Sequence, residues 1–236
     1  MKNFRATEIE LKAHVNDIEA LRTLLLQKAE YLGAFEKEDT YWVPKEPDMQ
    51  ESTQDETGSV KTRRSSGLRV RKEKRTLPDG TEKSVILVTK KAKEMQDNIE
   101  VNKEDEFEIS TSEEQDFKKQ LIKEGLKPAS GKRKQGWAFN HNKITAELVE
   151  VEGLGWFIEL EILFKSGIEF MSYMGAERHD GGPISIDNID KARTKIIAET
   201  EKKLKDFLSS LGIAEDAIEP RYYSKMLAER AGRQET

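Results

Sequence analysis

Near the start of the chain three ionisable residues occupy alternate positions: Glu8, Glu10 and Lys12. Alternate side chains of an extended strand share one face, so these three lie together while Ile9 and Leu11 lie on the opposite face. An edge strand could simply expose such a face to water, and for one isolated strand this is the simpler interpretation. Carboxylates beside an ammonium group can also bind a divalent cation and a phosphate side by side.

The same charged alternation recurs in several later segments of the chain. Sorted by strand face, the acidic candidates are Glu8, Glu10, Glu106, Glu108, Glu159 and Glu161, with Glu147 as a further member. The basic candidates are Lys12, Arg69, Arg71, Lys91, Lys132 and Lys134. Burying either set alone would be very unfavourable, because an unpaired charge inside a protein loses its hydration without compensation. Together the two sets predict a sheet that closes around a wet, charged interior.

An interior of this kind suits a polyanion together with a hard divalent cation. Guanidinium and ammonium groups bind phosphate oxygens, and carboxylates bind Mg²⁺ or Mn²⁺. Phosphoryl and nucleotidyl transfer depend mainly on positioning and charge neutralisation, so they require no cysteine or histidine chemistry. The chain has no cysteine, which excludes disulfides, thiolate metal sites and a cysteine nucleophile.

The composition of the 236 residues sets further limits on function. The formal net charge is −5, from 40 basic and 45 acidic residues, which argues against a dedicated nucleic-acid-binding protein. A basic run between Arg63 and Arg75 keeps RNA binding as a minor hypothesis. The chain shows no signal peptide and no long apolar span, so we expect a cytoplasmic protein without a membrane partner.

Local signals predict the elements that would position these charges. Asn16 and Glu19 fit a capping box for a first helix, and Gly33 fits its end. Residues 44–66 are polar and contain two prolines, which predicts a long mobile loop. The apolar periodicity of 187–211 predicts a long helix. Strands are predicted at about 35–43, 67–73, 84–93, 104–109, 132–137, 144–152 and 156–162.

Taken in order along the chain, the charged motifs resemble those of one family. The motifs are Glu8-x-Glu10-x-Lys12, Leu68-Arg69-x-Arg71, Thr89-x-Lys91, Lys132-x-Lys134 and Gly153-Leu154-Gly155-x-Phe157-x-Glu159-x-Glu161. Over about residues 7–164 they are similar to the CYTH, or triphosphate tunnel metalloenzyme, family. The resemblance implies an α+β fold, a closed antiparallel β-barrel tunnel with flanking helices and a C-terminal helical segment. It also implies a single domain over 1–236, with its C-terminal helices at 187–227.

The resemblance also implies roles for individual residues. Glu8 and Glu10 match the metal-binding pair, and the further metal candidates are Glu159, Glu161, Glu106 and Glu108. The phosphate-binding candidates are Lys12, Arg69, Arg71, Lys91, Lys132 and Lys134, and the catalytic candidates are Lys12, Glu10 and Glu147. Two positions depart from the family pattern. Lys134 stands where arginine is usual, and Val149 stands where an aspartate is common, so Glu147 is the candidate replacement.

The end of the chain favours one branch of this family. Residues 219–227 are similar to the Pro-Arg-Ser-Tyr-x-x-Leu-Leu tail of class IV adenylate cyclases, which implies conversion of ATP to cyclic AMP and pyrophosphate with Mg²⁺ or Mn²⁺. The alternative is a triphosphatase acting on tripolyphosphate, thiamine triphosphate or a nucleoside triphosphate. A minor alternative is a non-catalytic module that binds a phosphorylated ligand or an RNA end. Dimerisation through the C-terminal helix is a further hypothesis.

Overall fold

The computed structural model describes residues 3–45, 52–54, 60–62, 68–96, 99–164 and 186–234. The strands of this part are β1 (Asn3–His14), β2 (Glu30–Pro44), β3 (Ser52–Gln54), β4 (Val60–Thr62), β5 (Leu68–Thr76), β6 (Glu82–Gln96), β7 (Ile99–Ile109), β8 (Leu126–His141), β9 (Ile144–Val151) and β10 (Gly155–Phe164). The helices are α1 (Ile18–Lys28), α2 (Glu114–Lys123), α3 (Ile186–Ser210) and α4 (Tyr223–Gln234), with a 3₁₀ turn at Glu215–Ala217.

Eight of the strands form a closed barrel in the order β1-β10-β9-β8-β2-β5-β6-β7, in which β7 pairs with β1. Every pair of neighbouring strands in the barrel is antiparallel. Glu10 of β1 lies opposite Glu161 of β10 on one side and opposite Glu100 of β7 on the other. The prediction of a closed antiparallel barrel with flanking helices is therefore confirmed.

The largest apolar cluster lies outside the barrel wall, as the alternation in β1 requires, while a smaller cluster with Phe35, Val149 and Phe157 occupies inward-facing positions at one end. Ile9 and Leu11 are buried on the outer face and belong to one cluster with Leu25 of α1 and Ile196 and Leu204 of α3. The barrel wall is thus covered on this side by two amphipathic helices, while the other face of the same strands remains for polar side chains. Among the described residues, no helix is long and apolar enough to cross a membrane.

Several element boundaries differ from the sequence-based expectation. The first helix is capped by Asp17, whose side chain accepts from the backbone N–H of Ala20 at 3.0 Å, and not by Asn16. It ends at Lys28, well before Gly33. Gly33 instead occupies a bulge of β2 with φ +121°, where a Cβ atom would lie 2.2 Å from the carbonyl oxygen of Thr76. Only glycine tolerates both this φ and this close approach.

Two further segments were predicted too short or without structure. Strand β7 begins at Ile99, five residues before the predicted start at position 104. The predicted loop 44–66 includes a small ribbon, since β3 pairs with β4. Positions 46–51, 55–59 and 63–66 of that loop lie outside the described residues, so its mobility stays a prediction.

The external core makes a testable prediction about stability. Leu204 is fully buried between α3 and the barrel, so Leu204→Ala should lower the free energy of unfolding by about 2–5 kcal/mol. The matched control is Lys202→Ala on the exposed face of the same helix, which should leave stability almost unchanged. Urea unfolding of both variants would measure the difference, and equal stabilities would contradict a core at this position.

Candidate active site

The barrel interior is lined by ion pairs that reach across the barrel. Three of them connect strands that are separated by a third strand: Lys134 with Glu159, Lys37 with Glu147, and Arg69 with Glu106. Their shortest N–O distances are 2.5, 2.6 and 3.6 Å. Side chains from non-adjacent strands of a barrel can approach so closely when both point inward. The charges predicted for one face of each strand therefore do meet inside the barrel.

The pair between Lys134 of β8 and Glu159 of β10 is buried on both sides. Lys134 Nζ donates to both carboxylate oxygens of Glu159, at 2.5 and 2.8 Å. Burial alone would raise the pKa of Glu159, but the ammonium group of Lys134 outweighs it and holds the pKa well below its usual range. The pKa of Lys134 is raised, because Glu159 and Glu10 outweigh the effect of its own burial. Both members of the pair are thus charged at neutral pH.

A second cluster forms around Asp39 of β2. Arg71 donates through Nε to Oδ1 at 2.6 Å and through Nη2 to Oδ2 at 3.0 Å, which is a bidentate arrangement. Burial opposes ionisation of Asp39, yet Arg71, Lys132 and Arg69 together lower its pKa well below the usual value. Asp39 therefore holds the guanidinium of Arg71 in a fixed orientation inside the barrel.

Lys132 of β8 belongs to the same cluster, but its pKa is far below that of an ordinary lysine. Its Nζ lies 3.5 Å from Oδ2 of Asp39 and donates to the hydroxyl of Tyr41 at 3.0 Å. Burial, with repulsion from Lys134 and Arg71, lowers its pKa to about 7, although Asp39 partly compensates. In a large fraction of the molecules the side chain of Lys132 is consequently neutral at pH 7 before any anion binds.

On β1, Lys12 has a carboxylate partner from the strand that closes the barrel. Its Nζ lies 2.5 Å from Oε1 of Glu100 in β7, and both side chains are buried. Arg69 donates to Thr89 at 3.0 Å, and Thr89 in turn donates to Glu106 at 2.7 Å. Each of the inward-facing cations named here therefore has a polar partner in the barrel.

The acidic side of the interior is crowded around Glu161. Its pKa is raised well above the usual value by burial and by the carboxylates of Glu8, Glu147 and Glu10. Repulsion of this kind among oxygen ligands is what a hard divalent cation relieves, so the donor set fits Mg²⁺ or Mn²⁺. In the described part of the chain no three acidic or histidine side chains already form a ready metal cluster.

Two of the predicted acidic residues are directed at lysines, namely Glu147 at Lys37 and Glu159 at Lys134. The metal site predicted at Glu8, Glu10, Glu159 and Glu161 stays a prediction, and in this structure Glu159 is paired with Lys134. The two acids on β7 differ in exposure: the Glu106 side chain is 24% exposed, whereas Glu108 is exposed. A metal role for either also stays a prediction.

One predicted phosphate ligand cannot be placed by its side chain. Lys91 lies in β6 opposite Glu104 of β7, but its side chain lies outside the described residues. The other five basic candidates, Lys12, Arg69, Arg71, Lys132 and Lys134, all have inward-facing charged groups.

Comparison with known proteins was made by sequence and by structure. No protein-family model matches the chain, and no curated protein matches it by sequence. Among solved structures, the PH1819 protein of Pyrococcus horikoshii OT3 is 21% identical, with a TM-score of 0.59 and coverage of 94% of this chain and 99% of that chain. At such identity the likeness concerns the fold.

Two further solved structures carry functional descriptions of their own. A candidate adenylate cyclase from Vibrio parahaemolyticus is 16% identical, with a TM-score of 0.52 over 94% of this chain and 97% of that chain. The candidate adenylyl cyclase HpAC1 from Hippeastrum, described as having a dominant triphosphatase activity, is 15% identical, with a TM-score of 0.53 over 96% of each chain. These neighbours share the fold of the closed barrel. The chain has a CYTH-like tunnel fold.

The tunnel also contains residues that sequence reasoning missed. They are Lys37, Glu73, Glu100, Asn102 and Tyr223, together with the central role of Asp39. The alternation Lys37-x-Asp39-x-Tyr41 and the continuation of Arg69-x-Arg71 to Glu73 are signals that could have found three of them. Glu100 and Asn102 precede the predicted start of their strand. Tyr223 comes from the tail, where no strand periodicity exists.

The lowered pKa of Lys132 predicts how this side chain titrates and how anion binding depends on pH. In a protein labelled with ¹³C-lysine, one lysine side chain should titrate near pH 7, far below the value near 10.4 of exposed lysines. The variant Lys132→Arg should lack that signal, which assigns it. Because the deprotonated form dominates above pH 7, anion binding in the tunnel should weaken as pH rises through this range. A spectrum in which every lysine titrates above pH 9 would contradict the prediction.

Proposed function

We propose that this protein is a divalent-metal-dependent enzyme that cleaves a phosphoanhydride bond of a triphosphate bound in its tunnel. The observation that carries the proposal is the meeting of the cations of Lys12, Arg71 and Lys134 with the carboxylates of Glu10 and Glu161 in one buried interior. A triphosphate with a divalent cation is complementary to both halves of this charge distribution.

The proposed substrate exchanges its phosphate oxygens for the carboxylates that now hold the lysines. Lys134 and Lys37 are each paired through a flexible ammonium group, so they can turn to a phosphate while Glu159 and Glu147 are released. Arg71 keeps its orientation, because two of its nitrogens donate hydrogen bonds to the carboxylate of Asp39. Arg71 is therefore a rigid contact to the substrate, here called the rigid clamp, whereas Lys37 and Lys134 are cations whose positions can adjust.

For a bound divalent cation, Glu8, Glu10 and Glu161 are the proposed ligands, and the chemistry that it supplies is neutralisation of charge on the phosphate oxygens. The protein's own groups bind, orient and move a proton. Lys12 neutralises charge on the departing phosphate. Glu147 takes the proton of the attacking hydroxyl or water once Lys37 has turned away. The bond that breaks joins the attacked phosphorus to its bridging oxygen, which leaves with the rest of the phosphate chain.

The first candidate reaction is formation of cyclic AMP and pyrophosphate from ATP, in which the ribose 3′-hydroxyl attacks the α-phosphorus. It is favoured by the tail at residues 219–227, because Tyr223 of this tail reaches the lysines of the interior. The tail that resembles those of class IV adenylate cyclases is thus part of the candidate site.

The second candidate reaction is hydrolysis of a triphosphate by water. It is favoured by the dominant triphosphatase activity of the Hippeastrum neighbour. The positions of the three tryptophans agree with it, since none of them stacks in the interior as a support for adenine. Trp42 is buried in an outer cluster with Val70 and Val88, and Trp137 stacks on Trp156 beside the external core.

The deciding experiment incubates the purified chain with ATP or with tripolyphosphate in Mg²⁺ or Mn²⁺ and separates the products by anion-exchange chromatography. Cyclic AMP with pyrophosphate supports the cyclase, and orthophosphate without cyclic nucleotide supports the triphosphatase. Binding of tripolyphosphate without any product would contradict the proposal and favour a non-catalytic module for phosphorylated ligands or RNA ends.

Glu10→Gln tests the acidic side of the site. It should lower metal-dependent turnover by about a hundredfold or more, because a neutral amide is a poorer ligand for a hard cation at a site that also depends on charge. Mn²⁺ binding followed by electron paramagnetic resonance should weaken in parallel, while the circular dichroism spectrum remains that of the parent protein. Unchanged Mn²⁺ binding would remove Glu10 from the proposed ligands.

Arg71→Lys tests the rigid clamp while it keeps the positive charge. We expect the KM for the triphosphate to rise about tenfold to a hundredfold, because the bidentate geometry is lost. Arg133→Ala is the matched control, since Arg133 lies on β8 between Lys132 and Lys134 but points outward and is exposed. Equal KM values for the two variants would refute the clamp role of Arg71.

A further inference from the structure

The C-terminal tail is anchored across one end of the tunnel, where β1 finishes and β9 turns into β10. Ile218 forms a bridge with Ala13, and the backbone N–H of Glu219 donates to the carbonyl oxygen of Lys12 at 2.8 Å. Arg230 of α4 donates to the carbonyl oxygen of Gly153 in the β9–β10 turn. The start of α4 is therefore held at this end of the tunnel from both sides.

The segment between these anchors is braced by a buried carboxylate. Glu219 accepts from Arg221 Nε through Oε1 at 2.8 Å and from Nη2 through Oε2 at 2.6 Å, and the same Oε2 lies 3.2 Å from Nε2 of His14. The side chain of Glu219 is 4% exposed. This bracing fixes the direction in which the chain leaves Pro220 and enters α4.

Tyr223 is the residue that this arrangement places inside the tunnel. Its side chain is buried against Phe157, with ring centroids 5.0 Å apart in an edge-on contact, and beside Met226 and Val149. Burial, together with the nearby carboxylate of Glu159, raises its pKa, so the phenol stays protonated. The hydroxyl has no hydrogen-bond partner of standard geometry within the described residues.

The side-chain nitrogens of three lysines converge on the ring of Tyr223. The Nζ atoms of Lys134, Lys12 and Lys132 lie 4.8, 5.3 and 5.5 Å from its centroid. All three distances are within the range in which the negative face of an aromatic ring attracts a cation. These lysines repel one another, and an aromatic side chain at this point offsets that repulsion without itself carrying a charge that would compete for phosphate.

We propose that Tyr223 is a positioning residue for phosphate binding, whose ring holds Lys12, Lys132 and Lys134 around one end of the tunnel in the arrangement that receives an anionic phosphate group. The inference rests on the proposed function, because it assigns these lysines to the substrate. It makes the C-terminal tail part of the binding site, since the ring approaches from outside the barrel strands. The phosphate contacts the lysines, and Tyr223 acts through them.

The test measures tripolyphosphate binding by calorimetry, without metal, for variants of the full chain. Tyr223→Phe keeps the ring and should bind within about threefold of the parent protein. Tyr223→Leu loses the ring and should bind about tenfold to a hundredfold more weakly. Met226→Leu is the matched control, because it changes the same packing cluster by a volume-conserving substitution on the same helix. Equal affinities of the Tyr223→Leu variant and the parent protein would overturn the proposal.

A second series separates positioning from packing, even if loss of the ring unfolds the tail. Phenylalanine carrying one, two or three ring fluorines is incorporated at position 223, which weakens the negative face of the ring stepwise at nearly constant size. Affinity for tripolyphosphate should fall with each fluorine, whereas melting temperature should change little. A flat affinity series would show a purely structural role, and a rising series would show that the ring sequesters the lysines; either result overturns the proposal.

The outcomes also distinguish failure of this inference from failure of the proposed function. If the parent protein binds tripolyphosphate neither with nor without Mn²⁺, and turns over neither ATP nor tripolyphosphate, both are refuted. If it binds and turns over a triphosphate but the fluorinated series is flat, only the inference about Tyr223 fails. With ATP or tripolyphosphate as substrate, we expect kcat/KM to fall along the fluorinated series, through a raised KM and, because Lys12 also acts on the departing phosphate, through a lowered kcat.

Discussion

Closure of the sheet around charged side chains is the constraint on which the rest of this structure depends. Once β7 pairs with β1, no edge remains in the barrel that the described strands form, and every ionisable group on the inner faces must find a partner inside. The register at Glu10 shows the consequence, because this residue lies opposite Glu161 on one side and Glu100 on the other. Acidic groups are thus forced together at one level of the barrel, and the lysines and arginines of the same interior compensate their charge. The proposed binding of a polyanion together with a cation is based on this mixture of charges.

The same closure places the largest hydrophobic cluster on the outside of the barrel. Ile9 and Leu160 are fully buried, yet they pack against helices and not against one another across the barrel. Most of the apolar packing and the inner ion pairs therefore lie on opposite faces of the strands. The outer face buries apolar area beneath α1 and α3. The inner face carries paired charges that would weaken an ordinary core, and at the end of the barrel near the tail it also carries the apolar side chains of Phe35, Val149 and Phe157.

The inner ion pairs differ in how firmly the cation is held by its carboxylate. The proposed chemistry uses this difference, because a loosely held cation can exchange its carboxylate for a phosphate oxygen. Arg71 is fixed by two hydrogen bonds to a buried aspartate, whereas Lys37 and Lys134 hold their carboxylates through single ammonium groups. A tunnel built in this way has one rigid contact and several that adapt. The two proposed reactions, cyclisation and hydrolysis, place the same demands on such a set, because they differ in which phosphorus faces the attacking oxygen. The tail contributes a further fixed surface from outside the barrel strands.

The alternation of charged and apolar residues was enough to assign the inner face of β1, of β10 and of most of β5, because side-chain direction in a strand is a local property with a period of two. The long helix α3 and the turns at Asn142 and Gly153 were also predictable from local signals. The pairing of particular acids with particular bases was not predictable from local signals. Lys37 and Glu147 are 110 residues apart, and they meet only after the strand order and the barrel closure are set. The position of Tyr223 depends on tail anchors that carry no periodic signal. Local chemistry therefore determined which side chains face inward, and only the closed tertiary structure decided their partners.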